Sequence, residues 1–407
     1  METNRRNFLT GIASVGAVGA VPLLTQVQPK EPKPEPLKQG TAEYKGPNVI
    51  IIRFGGGCRR REAIEKDTTY APYLFNKLMP RGVLFQNMEI DSLKPIRGVD
   101  TSHGQGTVYI LSGRYKLSKA GGEGFDERFI PAASTVFEEM RKQYNVNPHE
   151  ALVINSEDRK QEEFLTYSNH PSYGINYRCQ ILSLYRFKRY LYPKLLVQKT
   201  RDGQNISAKE LANIDREYRD LMAIDTRQPV PKDKRLEGFW ERWQGYYGET
   251  GFKNPRGDRL LTELAIRSMK DEQIRPRMMI VNYTDCDYVH WGIKSHYTSA
   301  ISIMDQGLKQ IVDVADTLPF YRDNTIFVVV PDCGRDNNPF VDVPFQHHFN
   351  TRSSHEIFCL VFGKGIANRK TIISRPTDQI QIAGTIGELA GFNTPEAEST
   401  NLAKYLA

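Results

Sequence analysis

Two stretches of the sequence end in side chains that can grip a cation. Residues 278–292 read MMIVNYTDCDYVHWG, and residues 325–336 read TIFVVVPDCGRD. Each is a short apolar, β-branched run that stops at acidic, thiol and imidazole groups, as a buried parallel strand does when it delivers ligands at its carboxyl end. In open α/β sheets the crevice outside those ends is where ligands sit. Asp285, Asp287, His290, Asp332 and Cys333 are therefore expected to meet there with His347, His348 and His355 from the following loop. Imidazole, carboxylate and thiolate donors suit a divalent metal, zinc ahead of calcium or manganese. Either Asp285 or Asp287 can point inward, because a loop need not keep the alternation of a strand.

Residues 101–115, TSHGQGTVYILSGRY, place small and hydroxyl side chains ahead of an apolar helical turn. The amides at the start of that helix can face an anion, so Thr101, Ser102 and His103 are the candidate nucleophiles; helix capping by Ser or Thr is the plainer reading. A third candidate element is Gly55–Gly57, which follows the apolar run NVIIIRF. Glycines let a backbone approach a ligand closely, and Arg53, Arg59, Arg60, Arg61 and, on the PDCGRD segment, Arg335 offer charge for an anion. No GK[ST] or GxGxxG follows, so this is not a nucleotide-binding fingerprint.

These groups need a scaffold. Apolar runs at 48–54, 83–88, 151–154, 278–283, 325–330 and 356–362 alternate with helical patterns at 134–144, 259–270, 297–318 and 377–391. That alternation predicts an α/β fold, a doubly wound, mostly parallel sheet with helices on both faces. From about 167 to 258 the pattern changes to aromatics interleaved with Lys and Arg and to helical spacing, which predicts a helical insertion. The 407 residues suit one large α/β domain over 46–407, and 39% hydrophobic residues suffice for its core. A net charge of +7 is spread along the chain, which reads as a solvated basic surface suited to small anionic substrates rather than a nucleic-acid groove. Five cysteines are too few for a disulfide scaffold; Cys58, Cys286 and Cys333 all fall just past strand ends, where burial as small hydrophobes is preferred over a bridge or zinc ligation.

Residues 1–27 begin METNRRNFLT and continue into a Gly- and Ala-rich apolar run. Arg5 and Arg6 followed by Phe-Leu resemble a twin-arginine export signal, which implies the twin-arginine machinery as a partner and a periplasmic or otherwise extracytoplasmic destination. Membrane association through an uncleaved signal stays open. Residues 28–45, rich in Pro and charge, read as a stiff linker.

The order of these segments, from strand and Gly loop through LSGRY, Asp287 to His290 and PDCGRD to the final GKGI, resembles the alkaline phosphatase/sulfatase superfamily, in particular bacterial sulfatase-like proteins. The resemblance spans roughly 47–389 without the insertion. It implies two metal ions flanking a nucleophile that attacks a phosphate or sulfate ester, with Asp287 (or Asp285) and His290 in one metal site, Asp332 matching the Asp of an Asp-His-Gly motif, and His347 or His348 completing a site in competition with His355. Three departures stand out. Arg53 occupies the end of the first strand where the family has a metal-binding Asp, Cys333 replaces the His of an Asp-His-Gly motif, and His103 falls on the nucleophile position. Two functions follow: a metal-dependent hydrolase of phosphate or sulfate esters with one degenerate metal site, or a catalytically inactive sulfatase-like fold, with no metal, acting as a binding or scaffold protein.

Overall fold

The computed structural model describes residues 36–91, 99, 101–121, 128–155, 165–201, 207–223, 233–250, 257–290, 293–337, 345–347, 351–397 and 401–407. Among them the apolar runs form strands β1 (Asn48–Phe54), β2 (Gly82–Glu89), β3 (Leu117–Gly121), β4 (Arg128–Pro131), β5 (Ala151–Asn155), β6 (Gln180–Ser183), β7 (Met278–Asn282), β8 (Thr325–Pro331), β9 (Glu356–Gly363), β10 (Thr371–Ile373) and β11 (Thr377–Asp378). The helices of eight residues or more are α1 (His103–Ser112), α2 (Val136–Gln143), α3 (Leu184–Arg201), α4 (Ala208–Ala223), α5 (Lys234–Thr250), α6 (Gly257–Lys270), α7 (Lys294–Thr317) and α8 (Gln381–Ala390).

One nine-stranded sheet runs in the order β10-β2-β9-β8-β1-β7-β5-β6, with β11 beside β2. Every pairing is parallel except those of β9, which is antiparallel to both β2 and β8. Every residue of β1, β5, β7 and β8 is buried, the state their continuous Val/Ile runs require. Alternate residues serve opposite faces. Val49, Ile51, Ile280 and Val328 pack with Val108, Phe137 and Ile382 of α1, α2 and α8. The intervening residues point the other way, where α6 and α7 pack on each other and on the central strands. The expected doubly wound α/β architecture is thus present.

Two boundaries differ from the sequence reading. The end of the stretch expected as a linker over 28–45 belongs to the fold: Lys38 N–H donates to the Asn176 carbonyl at 2.9 Å, Asn145 N–H to Ala42 at 2.7 Å, and buried Tyr44 donates its hydroxyl to Pro47 and Ala390. The helical insertion expected from about 167 begins later, since residues 180–183 pair with β5 as an edge strand. A four-residue strand beside helical spacing is too short to stand out by periodicity. The chain divides into two compact units, Glu35–Leu184 with Val230–Ala407, and Met1–Pro34 with Tyr185–Pro229. In the second, α4 and all of α3 but Leu184 are described, whereas the expected export signal at 1–27 lies outside the described residues.

Helix α2 shows how this scaffold treats a buried acid. Glu138 closes a capping box with Thr135 and also accepts from the backbone amides of Ser168, at 3.0 Å, and Gly174, at 2.9 Å, tying the 168–174 segment to the helix. Burial raises its pKa to about 7 from 4.5 against the pull of those hydrogen bonds. Between those two values the folded protein keeps a proton that the unfolded chain has released, so stability falls as pH climbs through that interval and levels off above it. We expect the stability of the protein relative to Glu138→Gln, from denaturation midpoints, to drop by on the order of 3 kcal/mol between pH 4.5 and pH 8. A flat difference would mean that the amides keep this carboxylate ionised throughout.

Candidate functional site

Strands β7, β1 and β8 lie side by side, with Arg53 opposite Asn282 on one flank and Val330 on the other. Their carboxyl ends therefore open onto one rim. The turn after β7, Asp285–Val289, carries Asp287 and leads to His290; the residues after β8 are Asp332 and Cys333; the segment after β1 is the Gly loop. Helix α1 points its first residue, His103, at the same rim. Gly106 allows that approach, since a Cβ there would stand 2.2 Å from the Asp332 carbonyl oxygen.

His103 is the hub. Its Nδ1 lies 2.7 Å from Asp332 Oδ2 and its Nε2 lies 2.7 Å from Asp287 Oδ1 and 2.8 Å from His347 Nε2. His290 Nε2 meets the same Asp287 oxygen at 2.7 Å. One ligand atom from each of His103, Asp287, His290 and His347 falls within 4.8 Å of all the others, and all four residues are buried or nearly so. Three imidazoles and a carboxylate form a donor set typical of zinc. A hydrogen bond from Nδ1–H of His103 to Asp332 gives the carboxylate–histidine pairing that orients metal-bound imidazoles and leaves Nε2 as the donor atom. The residues thus fit a divalent cation.

The electrostatics agree. Burial opposes a charged His103, but Asp287 and Asp332 outweigh it and raise its pKa well above the usual imidazole range. A field that retains a proton also attracts a metal ion. Burial, with Arg335 adding to it, lowers the pKa of His290 and favours the neutral ring a ligand must have. Burial works against ionised Asp332 too, yet Arg53, His103 and the Cys333 amide hold its carboxyl at about 2. One contact runs the other way. His290 Nδ1 faces Arg335 Nη1 at 3.4 Å, a guanidinium where a metal-bound imidazole ordinarily finds an acceptor.

Several expected site residues have other employment. His355 donates through Nδ1 to the Ile90 carbonyl at 2.8 Å and anchors the end of β2 rather than joining the cluster. Asp285 is buried on the same turn as Asp287, but its carboxylate lies toward Gly257 at the start of α6, so Asp287 is the inward acid. His348 lies outside the described residues. Thr101 Oγ1 donates to the His347 carbonyl at 2.7 Å, and Ser102 caps α1; both hydroxyls brace the site.

The anion-binding expectation is also revised. Gly56 and Gly57 do bind a carboxylate, but it is that of Asp332, at 3.2 and 3.1 Å. Gly55 donates its amide to the Arg53 carbonyl at 2.9 Å. Arg59 forks onto Glu62 at 2.7 and 2.9 Å. Arg335 donates to the carbonyls of Gly56, Gly57 and Cys286, and Arg53 to those of His103 and Tyr283 and to Thr107. Buried guanidinium groups must find such partners, so these three arginines lock the loops together. The cysteines are all buried and unbridged, and burial pushes the Cys333 thiol up to about 12, although its sulfur is 3.8 Å from His103 Nδ1.

Sequence reasoning missed Asp258. From the first turn of α6 its carboxylate accepts from the amides of Thr284 and Asp285, both at 2.9 Å, and so holds the turn that carries Asp287. An acidic residue in a helix's first turn was the available signal, but its reach to a turn 26 residues on was not.

The fold is shared with solved structures of sulfatases. A putative sulfatase from Bacteroides thetaiotaomicron VPI-5482 is 13% identical and superposes with a TM-score of 0.52 over 89% of this chain and 75% of its own. A 2-O GAG sulfatase is likewise 13% identical, with a TM-score of 0.51 over 89% of this chain and 74% of its own. Neither protein-family models nor curated proteins yield a match to the sequence.

The Gly loop makes the packing testable. Gly56 has φ +80°, and a Cβ there would stand 2.3 Å from the Asp287 amide nitrogen; Gly365 has φ +74° with nothing within 4 Å. Gly365→Ala is expected to cost the backbone penalty alone, roughly 1–2 kcal/mol in a denaturant melt. Gly56→Ala carries the collision in addition and is expected to cost at least about twice as much. Equal losses would show that the loop yields easily.

Proposed function

We propose that this protein is an exported, metal-dependent hydrolase of phosphate or sulfate esters. The convergence of His103, Asp287, His290 and His347 at the carboxyl rim of β1, β7 and β8 carries the reading. A divalent cation held by these four, zinc ahead of calcium or manganese on donor chemistry, would supply Lewis-acid charge to the ester's oxygens. The protein's own part is orientation. Asp332 sets the tautomer of His103, Asp287 draws His290 and His103 to one point, Thr101 fixes the backbone of His347, and Asp258 holds the Thr284 and Asp285 amides of the turn that carries Asp287.

His103 has both ring nitrogens engaged, and the hydroxyls of Thr101 and Ser102 are committed to the scaffold. This supports His103 as a ligand instead of a nucleophile, and attack by water over a covalent intermediate. The net charge of +7 favours a small anionic substrate, and the likeness in fold to a sulfatase and a putative sulfatase points to the same ester class. Export through the twin-arginine machinery rests on Arg5 and Arg6. Among the described residues no helix is long and apolar enough to cross a membrane.

The second reading, an inactive fold serving as a binding or scaffold protein, has one observation behind it. With Arg335 donating to His290 Nδ1, the His103, Asp287 and His290 contacts can close as a hydrogen-bonded network without a metal.

Purified protein is expected to contain tightly bound metal by elemental analysis and to hydrolyse 4-nitrophenyl phosphate or sulfate. His290→Ala is expected to lose the metal and to lower the rate by about 100-fold or more. Metal-free protein without esterase activity would leave the second reading. For export, replacing Arg5 and Arg6 together with Lys is expected to strand the protein in the cytoplasmic fraction, read by cell fractionation; unchanged export would remove the twin-arginine assignment.

A further inference from the structure

His103 belongs to two clusters of donor atoms. On its Nε2 side lie Asp287, His290 and His347; on its Nδ1 side lie Asp332 and Cys333, whose ligand atoms also fall within 4.8 Å of one another. By residue type the second cluster, an imidazole, a carboxylate and a thiol, is a cation site in its own right. Its surroundings differ from those of the first.

The Asp332 carboxylate already has its acceptor positions occupied. Oδ1 receives the amides of Gly57 at 3.1 Å and Cys333 at 2.9 Å, and Oδ2 receives Gly56 at 3.2 Å and His103 Nδ1 at 2.7 Å. A carboxylate offers about four such positions. The positive charge beside it comes from the protein. Arg53 is 1% exposed, and its Nη1 lies 3.4 Å from Asp332 Oδ2 while its guanidinium is pinned to the carbonyls of His103 and Tyr283, at 3.1 Å each, and to Thr107. A divalent ion on the same carboxylate would sit against that fixed charge in a medium with little water to screen it.

We infer that Arg53 is a built-in cation that closes the Nδ1 side of the cluster, so that the centre takes one divalent ion and not two. The inference rests on the reading of the Nε2 side as a metal centre and adds to it a count and a positioning residue. Arg53 balances Asp332, Asp332 holds His103 by Nδ1–H, and Nε2 is thereby aimed at the single ion. At the end of β1, opposite Asn282 and Val330, Arg53 is buried and offers a substrate no surface.

Elemental analysis of the full-length protein, saturated with zinc and then dialysed, tests this directly. One equivalent per chain is expected. Two equivalents overturn the inference and leave the hydrolase reading standing, whereas none overturns the metal centre itself. Arg53→Asp, which exchanges the guanidinium for a carboxylate, is expected to raise the count to two; a folded variant that still binds one overturns the inference. Where that variant does not fold, Arg53→Lys decides. It keeps one positive charge but cannot reach Thr107, His103 and Tyr283 together, and its zinc affinity, measured by competition with a chromophoric chelator, is expected to fall about 10- to 100-fold. Unchanged affinity removes the positioning role.

Discussion

A carboxylate with no solvent exposure has to be held at the edge of a dry sheet, and most of the site follows from how Asp332 meets that requirement. Three backbone amides, an imidazole and a guanidinium surround it. The amides of Gly56 and Gly57 can reach it because those residues take positive φ, which turns successive N–H groups toward one point. The imidazole is the hub of the cation cluster. The guanidinium sits at the end of the central strand, so the compensation of one buried charge simultaneously orders the Gly loop, helix α1 and the ligand set.

The arginines illustrate what burial does to a functional expectation. On paper Arg53, Arg59 and Arg335 form a belt for an anionic substrate. In the fold each is spent on protein acceptors: Arg53 on Asp332 and two carbonyls, Arg59 on Glu62, Arg335 on three carbonyls. A guanidinium at a rim with this little solvent cannot wait for a substrate, since an unpaired buried charge costs several kcal/mol. On the proposed function, recognition of an ester anion would then fall to the cation that the four ligands would hold.

Each ligand is held in its own way. Asp287 stands on a turn clamped by Asp258, and His103 begins a helix capped by Ser102. His347 is fastened through its backbone by Thr101 and through its ring by His103.

Much of the architecture was legible in the chain. The runs NVIIIRF, MMIVN and TIFVVVP are continuous in Val, Ile, Met and Phe because their strands are covered on both faces, and that pattern marks a parallel sheet without coordinates. It also points to the rim, because Asp287, His290 and Asp332 follow the strands closely, and in the fold these three lie together there. What the tertiary structure alone decided was pairing. Spacing could not distinguish Asp285 from Asp287, exclude His355, or reveal that Asp258 holds the Asp287 turn, since each outcome depends on contacts between residues as many as 265 positions apart. Nor could it show that the Gly loop's anion is Asp332 and that Arg53 is its counter-ion: sequence records which groups are charged, whereas burial and neighbours determine which of those charges the protein must satisfy for itself.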